Sequence, residues 1–128
     1  MKKTFFLFLL PALFFAGAYK PLIYLDPGHG GLDLGAKVRY PYMEEKKIAL
    51  LMGHLTKRKL ENFGYRVQLT RSRDFFLPLA RRVTMANKHR ADLFISLHFN
   101  SCPNKAVIGI EIFYMENTKQ KKRNMLKH

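Results

Sequence analysis

Hydrophobic and polar residues follow three rhythms along this 128-residue chain, and each rhythm predicts an element. Pro21-Leu22-Ile23-Tyr24-Leu25 is a short unbroken apolar run, the pattern of a buried strand. From Glu44 to about Phe63 the spacing turns helical, with Ile48, Leu51, Met52 and Leu55 on one side, and Gly64 ends it. Tyr65 to Leu69 alternates and is β-prone, which predicts a second strand. A second helix is predicted from Pro78 to His89, with Leu79, Val83 and Ala86 inward and Arg81 and Lys88 outward. Asp92 to Leu97 predicts a third strand whose continuous apolar run implies burial on both faces. After the Pro103-Asn104-Lys105 turn, Val107 to Tyr114 predicts a fourth strand. Leu32 to Pro41 and Thr70 to Phe76 have no periodicity and read as loops, the second carrying Arg71, Arg73 and Asp74.

The order strand, helix, strand, helix, strand, strand implies the α/β class: a mainly parallel (mixed) sheet with flanking helices. Right-handed crossovers bring the C-terminal ends of the first three strands to one edge, and ligands gather at such edges. Asp26-Pro27-Gly28-His29-Gly30-Gly31 leaves the first strand there, and His98-Phe99-Asn100-Ser101 leaves the third. The connection that holds Glu45 starts from the same edge. Pro27 fixes φ and the glycines free it, so the hexamer suits a backbone folded tightly around a group held by an imidazole. A Gly-rich connection with an incidental histidine is the plainer alternative.

Two histidines and one carboxylate make a catalytic zinc ligand set, with water in the fourth position. The nitrogen and oxygen donors suit zinc better than calcium or magnesium. The competing reading makes His98 a polar strand end and the two glutamates partners of the helix dipole. A phosphate cradle is excluded. Gly28-x-Gly30 is followed by Asp33 where a dinucleotide fingerprint needs glycine, and Gly30 to Lys37 lacks Gly-Lys-Ser/Thr. Ser96, Ser101 and Cys102 lie in no nucleophile elbow. His54 and His89 read as surface helix residues, and His128 as part of the tail.

The chain opens with Lys2 and Lys3, an apolar run from Phe5 to Phe15 broken by Pro11, and Ala16-Gly17-Ala18. This is the layout of a secretory signal peptide over residues 1–18, cut after Ala18. Its apolar part is shorter than the ~20 residues that span a bilayer, and a retained membrane anchor is the alternative. The expected destination is the periplasm or the extracellular space, with membrane contact only through the signal. Formal net charge is +14; without residues 1–18, 21 basic side chains face 9 acidic ones, a balance of +12. Such a field suits nucleic acid, acidic lipid or an anionic cell-wall polymer, and export argues against nucleic acid. The single Cys102 cannot form an intramolecular disulfide and reads as a small half-buried residue. The remaining length fits one domain over residues 19–116, followed by a solvated basic tail over 117–128.

Ile23-Tyr24-Leu25-Asp26-Pro27-Gly28-His29-Gly30-Gly31, Glu45-Lys46-Lys47-Ile48, Leu69-Thr70-Arg71, Leu79-x-x-Arg82-x-x-x-Ala86-Asn87, Ala91 through Asn100, and Gly109-Ile110-Glu111 occur in that order. Together they resemble the zinc-dependent N-acetylmuramoyl-L-alanine amidases of bacterial cell-wall turnover, over about Pro21 to Tyr114. The resemblance implies Zn2+ held by His29, Glu45 and His98, with Glu45 rather than Glu44 matching the family glutamate. It implies peptidoglycan as partner and hydrolysis of the amide joining N-acetylmuramic acid to L-alanine. Arg82 and Asn100, inside the matched motifs, are the candidate substrate-binding residues. The family's general base lies in a Val-Glu-x-Gly-Phe type strand near the domain's end, a segment this sequence does not contain. An incomplete catalytic domain is therefore expected, with Glu111 the candidate for catalytic proton transfer. The alternatives are a catalytically impaired zinc- or peptidoglycan-binding remnant and a cationic surface-binding protein.

Overall fold

The computed structural model describes residues 19–39, 42–101, 106 and 109–114, so the predicted signal peptide and basic tail lie outside the described residues. The elements run β1 (Leu22–Pro27), β2 (Lys37–Arg39), β3 (Tyr42–Glu44), α1 (Glu45–Asn62), β4 (Arg66–Leu69), α2 (Leu79–Lys88) and β5 (Leu93–Leu97). The main sheet has the order β4-β1-β5, and both pairings are parallel. This is the α/β, mainly parallel architecture expected from the pattern.

β1 is buried along its whole length because strands flank both its edges and helices cover both its faces. Ile23 and Leu25 join Val67 in the core, with Leu60 of α1 packed against them. On the opposite face Asp26 meets Arg82 of α2, and the Tyr24 ring stacks on His89 at the end of α2 with centroids 5.7 Å apart. In register, Leu25 lies beside Leu69 and Pro27 beside Leu97. The Gly28 N–H continues the ladder to the Leu97 carbonyl at 2.9 Å. His29 and His98 therefore leave the sheet side by side.

Six expectations are corrected. Leu32 to Pro41 is not all loop: β2 pairs antiparallel with β3 as a short hairpin. The sheet-facing side of α1 is not Ile48, Leu51, Met52 and Leu55 but Glu45, Lys46, Ala49 and Gly53. Small residues win there because a Cβ on Gly53 would stand 2.7 Å from Pro27 Cγ, too close for any larger side chain. In α2, Leu79 and Val83 are 78% and 50% exposed, while Arg82 and Ala86 face inward. β5, expected to be covered on both faces, is an edge strand with Leu93 and Phe94 exposed. Within the expected fourth strand, residues 109–114 have no regular structure and are exposed, and 107–108 lie outside the described residues. His54, expected on the surface, is half-buried, with Nε2 3.1 Å from the Ser72 carbonyl. Among the described residues no helix is long and apolar enough to cross a membrane.

Candidate metal centre

The C-terminal edge of the sheet brings three distant side chains to one point. His29 Nε2 lies 3.1 Å from Glu45 Oε1. His98 Nδ1 lies 3.2 Å from the same oxygen and 3.2 Å from His29 Nε2. The three donor atoms form a nearly equilateral triangle. Ligand atoms 2.0–2.2 Å from a tetrahedral zinc stand about 3.3–3.6 Å from one another, so the triangle is within a few tenths of an ångström of one tetrahedral face. The donor chemistry also fits: two imidazole nitrogens and a carboxylate oxygen. Among the described residues this trio is the one cluster of three such side chains that could hold a metal.

Two of the three donors are oriented from behind by hydrogen bonds. His29 Nδ1 is 2.9 Å from both oxygens of Asp33, which leaves Nε2 free to face the triangle. That contact with His29, aided by the Gly35 N–H, holds the Asp33 carboxyl below the usual carboxylate range. Glu45 receives the Ala36 N–H on Oε2 at 2.8 Å and the Phe99 N–H on Oε1 at 2.7 Å. Burial would push the Glu45 carboxyl up; the two backbone N–H groups and His29 outweigh it and keep it ionised below its ordinary value. Glu45 can serve this way because the first N–H groups of α1 are satisfied elsewhere, at the carbonyls of Ala36 (2.9 Å) and Leu34 (3.2 Å).

Two glycines leave room for the trio. A Cβ on Gly28 would stand 2.5 Å from the His98 ring. One on Gly35, at φ +66, would stand 2.6 Å from the His29 ring and 2.8 Å from Glu45. His29 itself has φ +60, a left-handed conformation uncommon outside glycine. It is held by a pair of hydrogen bonds between Gly30 and Asp33 at 2.9 and 3.2 Å and by Arg82, whose Nη2 donates to the His29 carbonyl at 2.8 Å.

His29, Glu45 and His98 are thus brought together, with Arg82 in the wall of a cleft beside them. Arg82 lies beneath the turn, 3% exposed. Four of its five N–H groups go to Leu77 O, Asp26 Oδ1, Pro27 O and His29 O, so it braces the turn, and it also lines the cleft beside the triangle. Asn100 is exposed two residues beyond His98, and Glu111 is exposed on 109–114. Glu44 stays outside the trio and binds the Tyr42 hydroxyl at 2.9 Å. Residue-by-residue reading missed Asp33, Gly35 and Lys46. The Lys46 ammonium donates to the Gly31 carbonyl and to Asp74, both at 2.8 Å. A signal existed for Asp33, four residues after His29 and so within reach of its ring. The cleft, of about 380 Å³, is lined by Phe76, Leu77 and Leu79 together with His29, Asp33, Arg82 and His98.

Comparison with known proteins places this geometry. Residues 23–127 match the family profile described as N-acetylmuramoyl-L-alanine amidase. The chain is 42% identical over 100 residues to the N-acetylmuramoyl-L-alanine amidase AmiC of Neisseria meningitidis, covering 78% of this chain and 24% of that protein. It is 42% identical over 98 residues to AmiA of Salmonella typhimurium, covering 77% and 34%. Among solved structures, the amidase AmiC2 of Nostoc punctiforme superposes with a TM-score of 0.63 at 40% identity, over 70% of this chain and 49% of that one. The chain thus spans between a quarter and a third or so of the length of these two sequence relatives. A parallel sheet, the motifs at its C-terminal edge and a profile match over most of the length agree, and the chain belongs to the N-acetylmuramoyl-L-alanine amidase family.

Proposed function

We propose that this chain is an exported, zinc-dependent amidase domain that hydrolyses the bond between the lactyl group of N-acetylmuramic acid and the L-alanine of the peptidoglycan stem. The single observation that carries the metal is the triangle of His29 Nε2, Glu45 Oε1 and His98 Nδ1, with sides of 3.1 to 3.2 Å. Family membership supports the substrate class. Export rests on the pattern of residues 1–18. When bound at the three donors, zinc supplies Lewis acidity to the scissile carbonyl and an acidified water.

The chain's own residues do the rest. Asp33 holds His29 in the tautomer that presents Nε2, and the Ala36 and Phe99 N–H groups keep Glu45 ionised and fixed. In the adjoining cleft, Phe76, Leu77 and Leu79 offer apolar surface to the methyl groups that flank the amide, and exclude water from one side of it. Proton transfer to the leaving amine is assigned to Glu111. That assignment rests on its place in the Gly109-Ile110-Glu111 motif of the family resemblance; the carboxylate is exposed and among the described residues has no hydrogen bond or ion pair.

Incubation of the purified protein with muropeptides and zinc tests this reading. Release of free stem peptide above a chelated control is expected. The cationic-binder alternative predicts none, and predicts salt-sensitive binding to anionic polymer that ignores His29→Ala with His98→Ala.

A further inference from the structure

Arg71 is a buried cation with no carboxylate partner among the described residues. It is 1% exposed, and its hydrogen bonds all go to main-chain carbonyls. Nε donates to Pro27 at 2.9 Å, Nη2 to Gly28 at 2.7 Å and to Lys46 at 2.8 Å, and Nη1 to Arg73 at 3.4 Å. Arg82, by contrast, is neutralised by Asp26 at 2.7 Å. Burying an unpaired charge is costly, and a neutral side chain could fill the same space. What a neutral side chain could not supply is the planar fork.

The two hydrogens of Nη2 reach two segments that are far apart in sequence. One goes to the carbonyl of Gly28, which precedes His29 and supports the His98 ring. The other goes to the carbonyl of Lys46, which follows Glu45. A single nitrogen atom therefore spans the turn carrying one donor and the helix carrying another, where those donors stand 3.1 Å apart. The Lys46 ammonium also reaches back to Gly31, but through a flexible four-carbon stem. A guanidinium has the same sign of charge as a divalent cation, so its benefit to such a site is positional and not attractive.

We infer that Arg71 is a positioning residue of the metal centre, which fixes through Nη2 the separation between His29 and Glu45. This rests on the metal reading proposed above.

The test uses the full chain, stripped of metal, titrated with Zn2+ against a competing chelator and with Co2+ by visible absorbance. Arg71→Lys keeps the charge and loses the fork. Val67→Ala, in the core beside Ile23 and Leu25, supplies destabilisation away from the donors. Arg71→Lys is expected to bind zinc at least about tenfold more weakly, and its Co2+ band to lose intensity as four-coordination is lost. Val67→Ala should stay within about twofold of the parent. Parental affinity in Arg71→Lys, or an equal loss in Val67→Ala, overturns the inference while leaving the metal site standing. A parent chain that takes up neither ion overturns the metal reading and this inference with it. Should Arg71→Lys fail to fold, the Arg71 guanidinium NMR signals of the parent are expected to shift with the same zinc midpoint as the His29 and His98 rings, and unmoved signals overturn it.

Discussion

The imidazole of His98 lies against the bare α-carbon of Gly28, so close that a Cβ there would stand 2.5 Å from Cε1 and 2.8 Å from Nδ1. That same Nδ1 is 3.2 Å from both Glu45 and His29, so any shift of the ring opens the triangle. Gly28→Ala is therefore expected to fold, because Gly28 is not among the positive-φ residues, and to bind zinc at least about tenfold more weakly in chelator competition. Gly64→Ala is the control. At φ +88 with nothing within 4 Å, it should lose about 1 kcal/mol of stability and keep its affinity. Undiminished zinc binding by Gly28→Ala would show that the ring has room this packing denies it.

Asp33 holds His29 from the far side of the ring, with both oxygens 2.9 Å from Nδ1. In Asp33→Asn the amide oxygen can still accept a hydrogen bond but no longer supplies a charge to the imidazole. A loss of about 10- to 100-fold in zinc affinity is expected. Thermal stability without metal should change little, since the Asp33 side chain is 46% exposed. Isothermal titration and a melting curve separate the two effects. Unchanged affinity would remove Asp33 from the site.

How much of this was legible in the sequence depends on which side chains carried the signal. β1 was readable because a strand covered on all sides has no polar residue before Asp26. The meeting of His29 and His98 followed from parallel order alone. The inner face of α1 was misread because pattern recognition weights Leu51, Met52 and Leu55, whereas close approach to the sheet selects Ala49 and Gly53. The inner face of α2 was misread for a related reason. Arg82 looks like a surface residue until Asp26, 56 positions away in sequence, is known to face it. No local pattern reports that a charge is paired at long range, nor that Arg71, in the loop after β4 as expected, is buried against main-chain carbonyls. Gly35 looked like loop punctuation; its purpose is visible only once His29 and Glu45 flank it.

Asp26 gathers the sheet edge. Its Oδ1 accepts from Thr70 Oγ1 at 2.5 Å and Arg82 Nη1 at 2.7 Å, and its Oδ2 from Ser96 Oγ at 2.8 Å. Removing one partner of a buried ion pair leaves the other uncompensated, a loss of about 3–5 kcal/mol. Asp26→Leu and Arg82→Met alone are each expected to lower the urea midpoint severely or to prevent folding. The double variant should recover part of the loss, since no unpaired charge then remains. Recovery is expected to be incomplete, because Thr70, Ser96 and the His29 carbonyl still lose a partner. A double variant as unstable as the two singles combined would mean that the residues do not act as a pair.

Glu111 carries the proton-transfer assignment, and its exposure makes the test clean. With no partner to lose, Glu111→Gln should leave the melting temperature and zinc stoichiometry unchanged. Release of stem peptide is expected to slow by about 10²–10⁴-fold, the usual effect of removing a general acid or base. Parental turnover in this variant would assign proton transfer to another group.

Asp74 ties the loop before α2 to the metal turn, receiving the Lys46 ammonium at 2.8 Å and the Gly31 N–H at 2.7 Å. The hydrogen bond from Lys46 comes first among the causes that hold its carboxyl below the ordinary 3.8, followed by the Gly31 N–H. A carboxylate whose folded pKa is depressed binds its proton more readily when unfolded. Its stabilisation is therefore complete above the unfolded value near 3.8 and disappears as pH falls through the lower folded one. With 42% of the side chain exposed, solvent screening limits the contribution to about 0.5–1 kcal/mol. Asp74→Asn should melt a few degrees below the parent at pH 7, and the two curves should converge as pH drops below about 4. Melting temperatures measured from pH 7 down to the acid limit decide it: a gap that persists unchanged in acid would mean that Asp74 acts through packing and not through its charge.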